Sequence, residues 1–560
     1  MRSWMKWGSL VLLAGACRAE PEAPAAEACA SNTPPCGVEA PIEVPPYTGT
    51  HPIDAATHAP FFLAGHVPVE DDRPSLCRRL FADLVGRYPT RDEVVETCGD
   101  RSAEAIVDDL MARDAHLHLA QRQWRDRLDT LDVLVRFSYL KSLYEEVDQL
   151  TRGELLYPAF VERVLAHPGF VGQDFFPAER AARAFDAFLG RPATESEAND
   201  FGNLFRPWVL NQESDPDFPY IAYNQPYVWP AYCEPFAPCS TTLFGGASLG
   251  LTGTFEDYAT WETIDETTRQ ALFVPGRLLA KQPLFWEAAA DDILERYLGW
   301  NDGGRFPREV GIVLPEVRRA LTRFLEQTGN WRQAERLVLT SWLYRQRTVF
   351  EPGELPADAP VWMTGPVKAA DAETWLDSAM NVTIDFGNCD PRYPDGFGYS
   401  AIQQILANDP NVDPSTIAAE FVKLHELSGS RLPLVYAPDY QGLIPSFQYY
   451  GVARIIGGCP GFNSGRVDPV GTSFAYTQES LAELLCQEGV VDEGRPFIPG
   501  TTATLHHQMS LLFGREARAE EIAGFHAAHD ACVPGEDCDS ATTISSVCVA
   551  LLGSAEMLFY

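Results

Sequence analysis

The chain has 560 residues, with 43 Lys plus Arg against 78 Asp plus Glu and a formal net charge of -35 at pH 7. An acidic balance spread along the whole sequence repels phosphate backbones and anionic head groups, which excludes nucleic acid as a partner. With 46% hydrophobic residues there is material for a large core, and the length predicts roughly two to four domains or one multi-lobed body.

Residues 1–17 read as a lipoprotein signal peptide. Arg2 and Lys6 precede an apolar and small run, Gly8 to Ala16, and Cys17 follows Leu13-Ala14-Gly15-Ala16. The run is too short to span a bilayer permanently. Cys17 is therefore the expected lipidation site and the lipid anchor the expected link to a membrane. Ala14 stands where such boxes usually carry leucine, so ordinary secretion is the alternative. Arg18 is not the aspartate that signals inner-membrane retention, which points to the outer membrane of a bacterial cell envelope. Residues 18–70, rich in Pro, Ala and Glu, read as a semi-stiff tether.

Setting Cys17 aside leaves twelve cysteines, and in an oxidising compartment an even set predicts up to six disulfides. Proximity suggests Cys29 with Cys36, Cys77 with Cys98, Cys233 with Cys239 and Cys532 with Cys538. Elimination leaves Cys389 with Cys459 and Cys486 with Cys548, although sequence alone does not determine connectivity. No Cys-x-x-Cys-His occurs, which excludes covalent c-type haem.

Residues 71–200 predict an N-terminal helical domain, with Ser102 as a cap and Ile106, Leu110, Leu117 and Trp124 along one face. Residues 263–350 predict a second. There Val317, Leu321, Phe324 and Leu325 share a face, and Gly329-Asn330 ends one helix and caps the next. Residues 476–560 predict a third.

One motif recurs at Gly86-Arg87 to Glu93, Gly190-Arg191 to Glu197 and Gly514-Arg515 to Glu521. Glycine closes one helix in the left-handed conformation, and Thr-x-x-Glu in the first two copies is a capping box that opens the next. The arginine is expected to pair with the capping carboxylate or with helix-end carbonyls, a binding role being the alternative.

Between these helical segments lie an aromatic, Pro-rich insertion at 201–262 and a loop-rich region at 351–475. The insertion interleaves prolines with Trp208, Tyr220, Tyr223, Tyr227, Trp229 and Tyr232. Exposed Trp and Tyr anchor protein partners or stack on sugar rings, and covering a helical core is their alternative use.

Three patterns could carry chemistry. Gly246-Ala247-Ser248-Leu249-Gly250 fits a hydrolase elbow, but no strand-to-helix context surrounds it. His526 and His529 share a helical face beside Asp530, and His116 with His118 and His506 with His507 are further pairs that a transition metal could use. Asp385, Asn388, Asp390 and Asp395 are oxygen ligands at short spacing that could suit calcium, although Asp with Gly and Pro is also ordinary turn chemistry.

The segments Leu80 to Thr90, Asp108 to Ala112 and Gln123 to Leu128 resemble the opening of domain-of-unknown-function family 1549. Leu325 to Trp331 and Leu337 to Gln346 are similar to its companion, family 1553, and Gly365-Pro366-Val367-Lys368, Asp371-Ala372-Glu373 and Leu376-Asp377-Ser378 follow in the same order. Those families occur on planctomycete-type surface proteins, often beside c-type cytochrome modules. The resemblance implies a helical exported protein and no catalytic residues. Taken together, the sequence reads as a mainly α surface lipoprotein, non-enzymatic, acting as a recognition or scaffold protein for a protein partner or polysaccharide. A metal- or cytochrome-dependent redox accessory is the alternative.

Overall fold

A computed structural model describes residues 44–128, 137–171, 174, 176–205, 228–233, 237–243, 266–299, 315–350, 354–355, 361–368, 370, 374–375, 378, 502–531 and 547–558. The fold is mainly α. In chain order the helices are α1 (Pro52–Leu63), α2 (Arg73–Val85), α3 (Arg91–Glu93, continued by a π turn, Val94–Cys98), α4 (Ala103–Leu110) and α5 (Asp114–Leu128). Next come α6 (Phe137–Arg152), α7 (Tyr157–Ala166), α8 (Pro168–Val171), α9 (Pro177–Leu189) and α10 (Glu195–Gly202). After these follow α11 (Glu266–Leu272), α12 (Val274–Ala280), α13 (Pro283–Leu298), α14 (Pro315–Thr328), α15 (Trp331–Leu339) and α16 (Trp342–Arg345). The last three are α17 (Thr502–Phe513), α18 (Ala519–Ala531) and α19 (Ala555–Leu558). Within the 201–262 insertion, β1 (Val228–Cys233) and β2 (Ala237–Leu243) form an antiparallel hairpin with a register shift between Ala231 and Tyr232. These two strands are regular despite Pro230 and Pro238. Among the described residues no helix is long and apolar enough to cross a membrane.

The helix ends are where capping chemistry places them. Asp72 accepts from the Ser75 amide at 2.9 Å to start α2, and Gly329, at φ +61°, ends α14 before the Asn330 side chain caps α15. The Ile106-to-Trp124 face that reads as continuous is split. Helix α4 stops at Met111, and Arg113 turns back to bond Asp109 and Thr97 before α5 begins.

Two of the composition-based boundaries do not separate bodies. Residues 52–63, placed in the tether by their Pro and Ala content, form α1, which buries Ile53 and Phe61 and packs on α14. The 71–200 and 263–350 segments share a single apolar core, because α13 packs on α9 and α15 packs on α4 and α6. Trp124, Tyr157 and Trp331 meet at its centre, with the Trp124 ring 5.3 Å from Trp331 and Tyr157 5.0 Å from Trp331. Cys77 and Cys98 form a disulfide with Cα atoms 5.9 Å apart, tying α2 to the π turn. Cys548 is also disulfide-bonded.

Candidate functional site

The three Gly-Arg motifs build the same corner three times. Gly86, Gly190 and Gly514 have φ of +82°, +66° and +67°, a region that costs a glycine nothing. From each turn the arginine forks onto the glutamate six residues on. Distances are 2.8 and 2.6 Å for Arg87–Glu93, 2.9 and 2.6 Å for Arg191–Glu197, and 2.9 and 2.7 Å for Arg515–Glu521. The same glutamate accepts the amide of Thr90, Thr194 or Arg518 at the start of the next helix. Bidentate pairing from Arg191 and Arg515 holds the Glu197 and Glu521 carboxyls down at about 2. These arginines are occupied by the corners they close.

Titratable groups converge elsewhere, between α2, α13, α15 and the segment after α16. Lys368 passes over Gly299, where a Cβ would sit 2.5 Å from its Cγ, and its Nζ reaches the Asp83 carboxylate and the Arg296 carbonyl, the latter at 3.2 Å. Asp83 also accepts from the Tyr344 hydroxyl at 2.8 Å. Arg296 donates to Glu335 (3.3 Å), Asp292 (3.2 Å) and Gln123 (2.6 Å), Tyr297 donates to Glu335 at 3.0 Å, and Arg127 pairs with Asp292 at 2.5 Å. Burial pushes the Glu335 carboxyl up against the pull of Arg296, and burial beside Glu335 carries the Tyr297 phenol well above its ordinary value. Each acid in the network, Asp83, Glu335 and Asp292, has a cation of its own in Lys368, Arg296 and Arg127. Nearby, the fully buried Arg79 joins Asp71 (3.2 Å) to the carbonyls of Gln346 and Pro366. This arrangement fastens the 346–368 stretch to the helical body by mutual neutralisation.

Sequence reasoning did not single out this network. Its one legible signal was Asp83, a lone acid inside the apolar run Leu80-Phe81-Ala82-Asp83-Leu84-Val85.

Of the sequence-predicted site residues, Cys77 and Cys98 come together. Trp229, Tyr232 and Cys233 lie on β1, and Cys239 on β2 is the residue skipped by the pairing; their side chains are outside the described residues, as are Trp208, Tyr220, Tyr223 and Tyr227. Cys17, Cys29, Cys36, Cys389, Cys459, Cys486, Cys532 and Cys538 lie outside as well, with Ser248 and the Asp385-to-Asp395 set. His526 sits half-buried on α18, edge-on to Phe525 at 5.6 Å, and the His529 side chain falls outside the described ones. His506 caps the turn before α18 by accepting the Ala517 amide at 3.1 Å. His116 is fully buried with Nδ1 3.2 Å from the Leu84 carbonyl, and burial lowers its pKa to about 3. Among the described residues no group of three or more His, Cys, Asp and Glu is placed to hold a metal.

No protein-family model, no curated protein and no solved structure matches this chain, and the resemblance to families 1549 and 1553 gains no support from them.

Proposed function

We propose that this protein is an exported surface lipoprotein, held by a lipid on Cys17, whose helical body is a scaffold for recognition of a protein partner or polysaccharide through the 201–262 and 351–475 regions. The observation that carries the reading is the use made of the buried charges. Asp83, Lys368, Arg296 and Glu335 are engaged with one another and with chain carbonyls, which is how a frame holds two loop-bearing segments in place. A core of edge-on and tilted aromatic rings around Trp124 and Trp331 adds rigidity to that frame.

Native protein purified from the cell envelope tests the scaffold reading by elemental mass spectrometry, an absorption spectrum and a glycan and partner screen. A metal-free, colourless protein that captures one glycan class or one partner supports it. A stoichiometric transition metal or a haem band would replace it with the redox reading. The anchor is tested separately: Cys17→Ser is expected to abolish fatty-acid labelling and move the protein from the detergent phase to the aqueous one.

A further inference from the structure

We infer that the C-terminal helices, α17, α18 and the stretch 547–558 that ends in α19, form a strap held together by the Glu556–Arg515 pair and clasped to the helical body by a polar seam, and that the strap opens as one piece ahead of the main core. The first support is where its apolar residues lie. Leu505, Met509, Leu512, Phe513, Leu552 and Met557 are buried, yet none belongs to the apolar cluster that runs from Ile53 to Met363. They are buried apart from that cluster, with α17 packed on α18 and α19 and, across the seam, on α3.

The second support is what crosses to the body. Within the strap Glu556 receives Arg515 of the third corner through two bonds of 2.9 and 2.6 Å, and across to the body Arg78 of α2 donates to the Glu556 carbonyl. The Tyr88 hydroxyl donates to the Met557 carbonyl at 3.1 Å, and Trp375 Nε1 donates to the Leu552 carbonyl at 3.2 Å. Arg91 pairs with Glu516 at 2.7 Å, and the Arg78 guanidinium lies between the rings of Tyr88 (3.7 Å) and Phe513 (5.1 Å). The backbones also approach closely at Gly514, where a Cβ would meet Val94 Cγ2 at 2.8 Å. Such a seam is directional and responds to salt, whereas the main core is neither. Units joined this way open sub-globally below the free energy of global unfolding. Opening would uncover Arg78 and Tyr88.

Amide hydrogen exchange on the full chain tests this, comparing peptides over 505–513 and 549–557 with peptides over 143–152, 157–166 and 285–298. In the wild type the strap peptides are expected to exchange faster than the core ones. In Tyr88→Phe, which removes the hydroxyl bonded to the Met557 carbonyl and keeps the ring under Arg78, their rate should rise by roughly fivefold, the factor that losing one neutral hydrogen bond supplies, with the core peptides unchanged. Wild-type protein in about 1 M NaCl, where screening acts within ~3 Å, should shift in the same direction without any substitution. Strap and core peptides exchanging at one common rate in the wild type would overturn the inference, as would equal acceleration of both in Tyr88→Phe or in salt.

Discussion

Arg191 closes onto Glu197 through two parallel hydrogen bonds of 2.9 and 2.6 Å, and Arg87–Glu93 and Arg515–Glu521 repeat the arrangement to within about a tenth of an ångström. A planar fork is what this geometry needs, and an ammonium cannot supply it. Arg191→Lys should therefore lower the unfolding free energy by about 1 kcal/mol, the modest value reflecting the partial exposure of the corner. Urea midpoints of the two proteins measure this, and equal midpoints would mean that the corner is held by its glycine and threonine alone.

Lys368 and Asp83 are both almost fully buried, so each depends on the other. Lys368→Met takes the ammonium from the buried Asp83 carboxylate, which keeps its bond from the Tyr344 hydroxyl, and should cost about 3–5 kcal/mol. Adding Asp83→Asn to that variant should recover much of the loss. A double variant as unstable as the single one would show that packing of the lysine stem over Gly299 matters more than its charge.

The Cys77–Cys98 disulfide closes a sequence separation of 21 residues. Replacing both cysteines by alanine should cost about 3 kcal/mol by the loop-closure argument. Thermal unfolding of the oxidised protein against this variant is the measurement. A smaller drop would indicate that α2 and the π turn remain associated in the unfolded chain.

Acid should destabilise the fold from near pH 6.5 downward. His116 and His167 are buried and neutral, and burial lowers both to about 3. A depressed folded-state pKa contributes stability that is complete above the unfolded value of 6.5 and is lost as pH falls through the folded value, by about 1.4 kcal/mol per pH unit for each histidine. Glu197 and Glu521, lowered to about 2, extend the loss from 4.5 downward. His116→Asn keeps a donor near the Nδ1 position toward Leu84. Unfolding free energies between pH 7 and 4 should fall less steeply in this variant, and an unchanged slope would place the titration elsewhere.

Local chemistry was legible in the sequence. The Gly-Arg corners, their capping boxes, the Gly329-Asn330 break and the Cys77–Cys98 pair depend on residues a few to some twenty positions apart, so short-range geometry settles them. The mainly α fold follows from the same caps and from the 3.6-residue apolar spacing. What only the tertiary structure decided involves partners hundreds of positions apart. Lys368 meets Asp83, Arg78 meets the Glu556 carbonyl, and α1 lies on the body instead of in the tether, because apolar burial and charge neutralisation act through space and carry no record of sequence separation. A lone lysine after Gly365-Pro366-Val367 looks like any surface lysine until the fold brings a buried carboxylate to it.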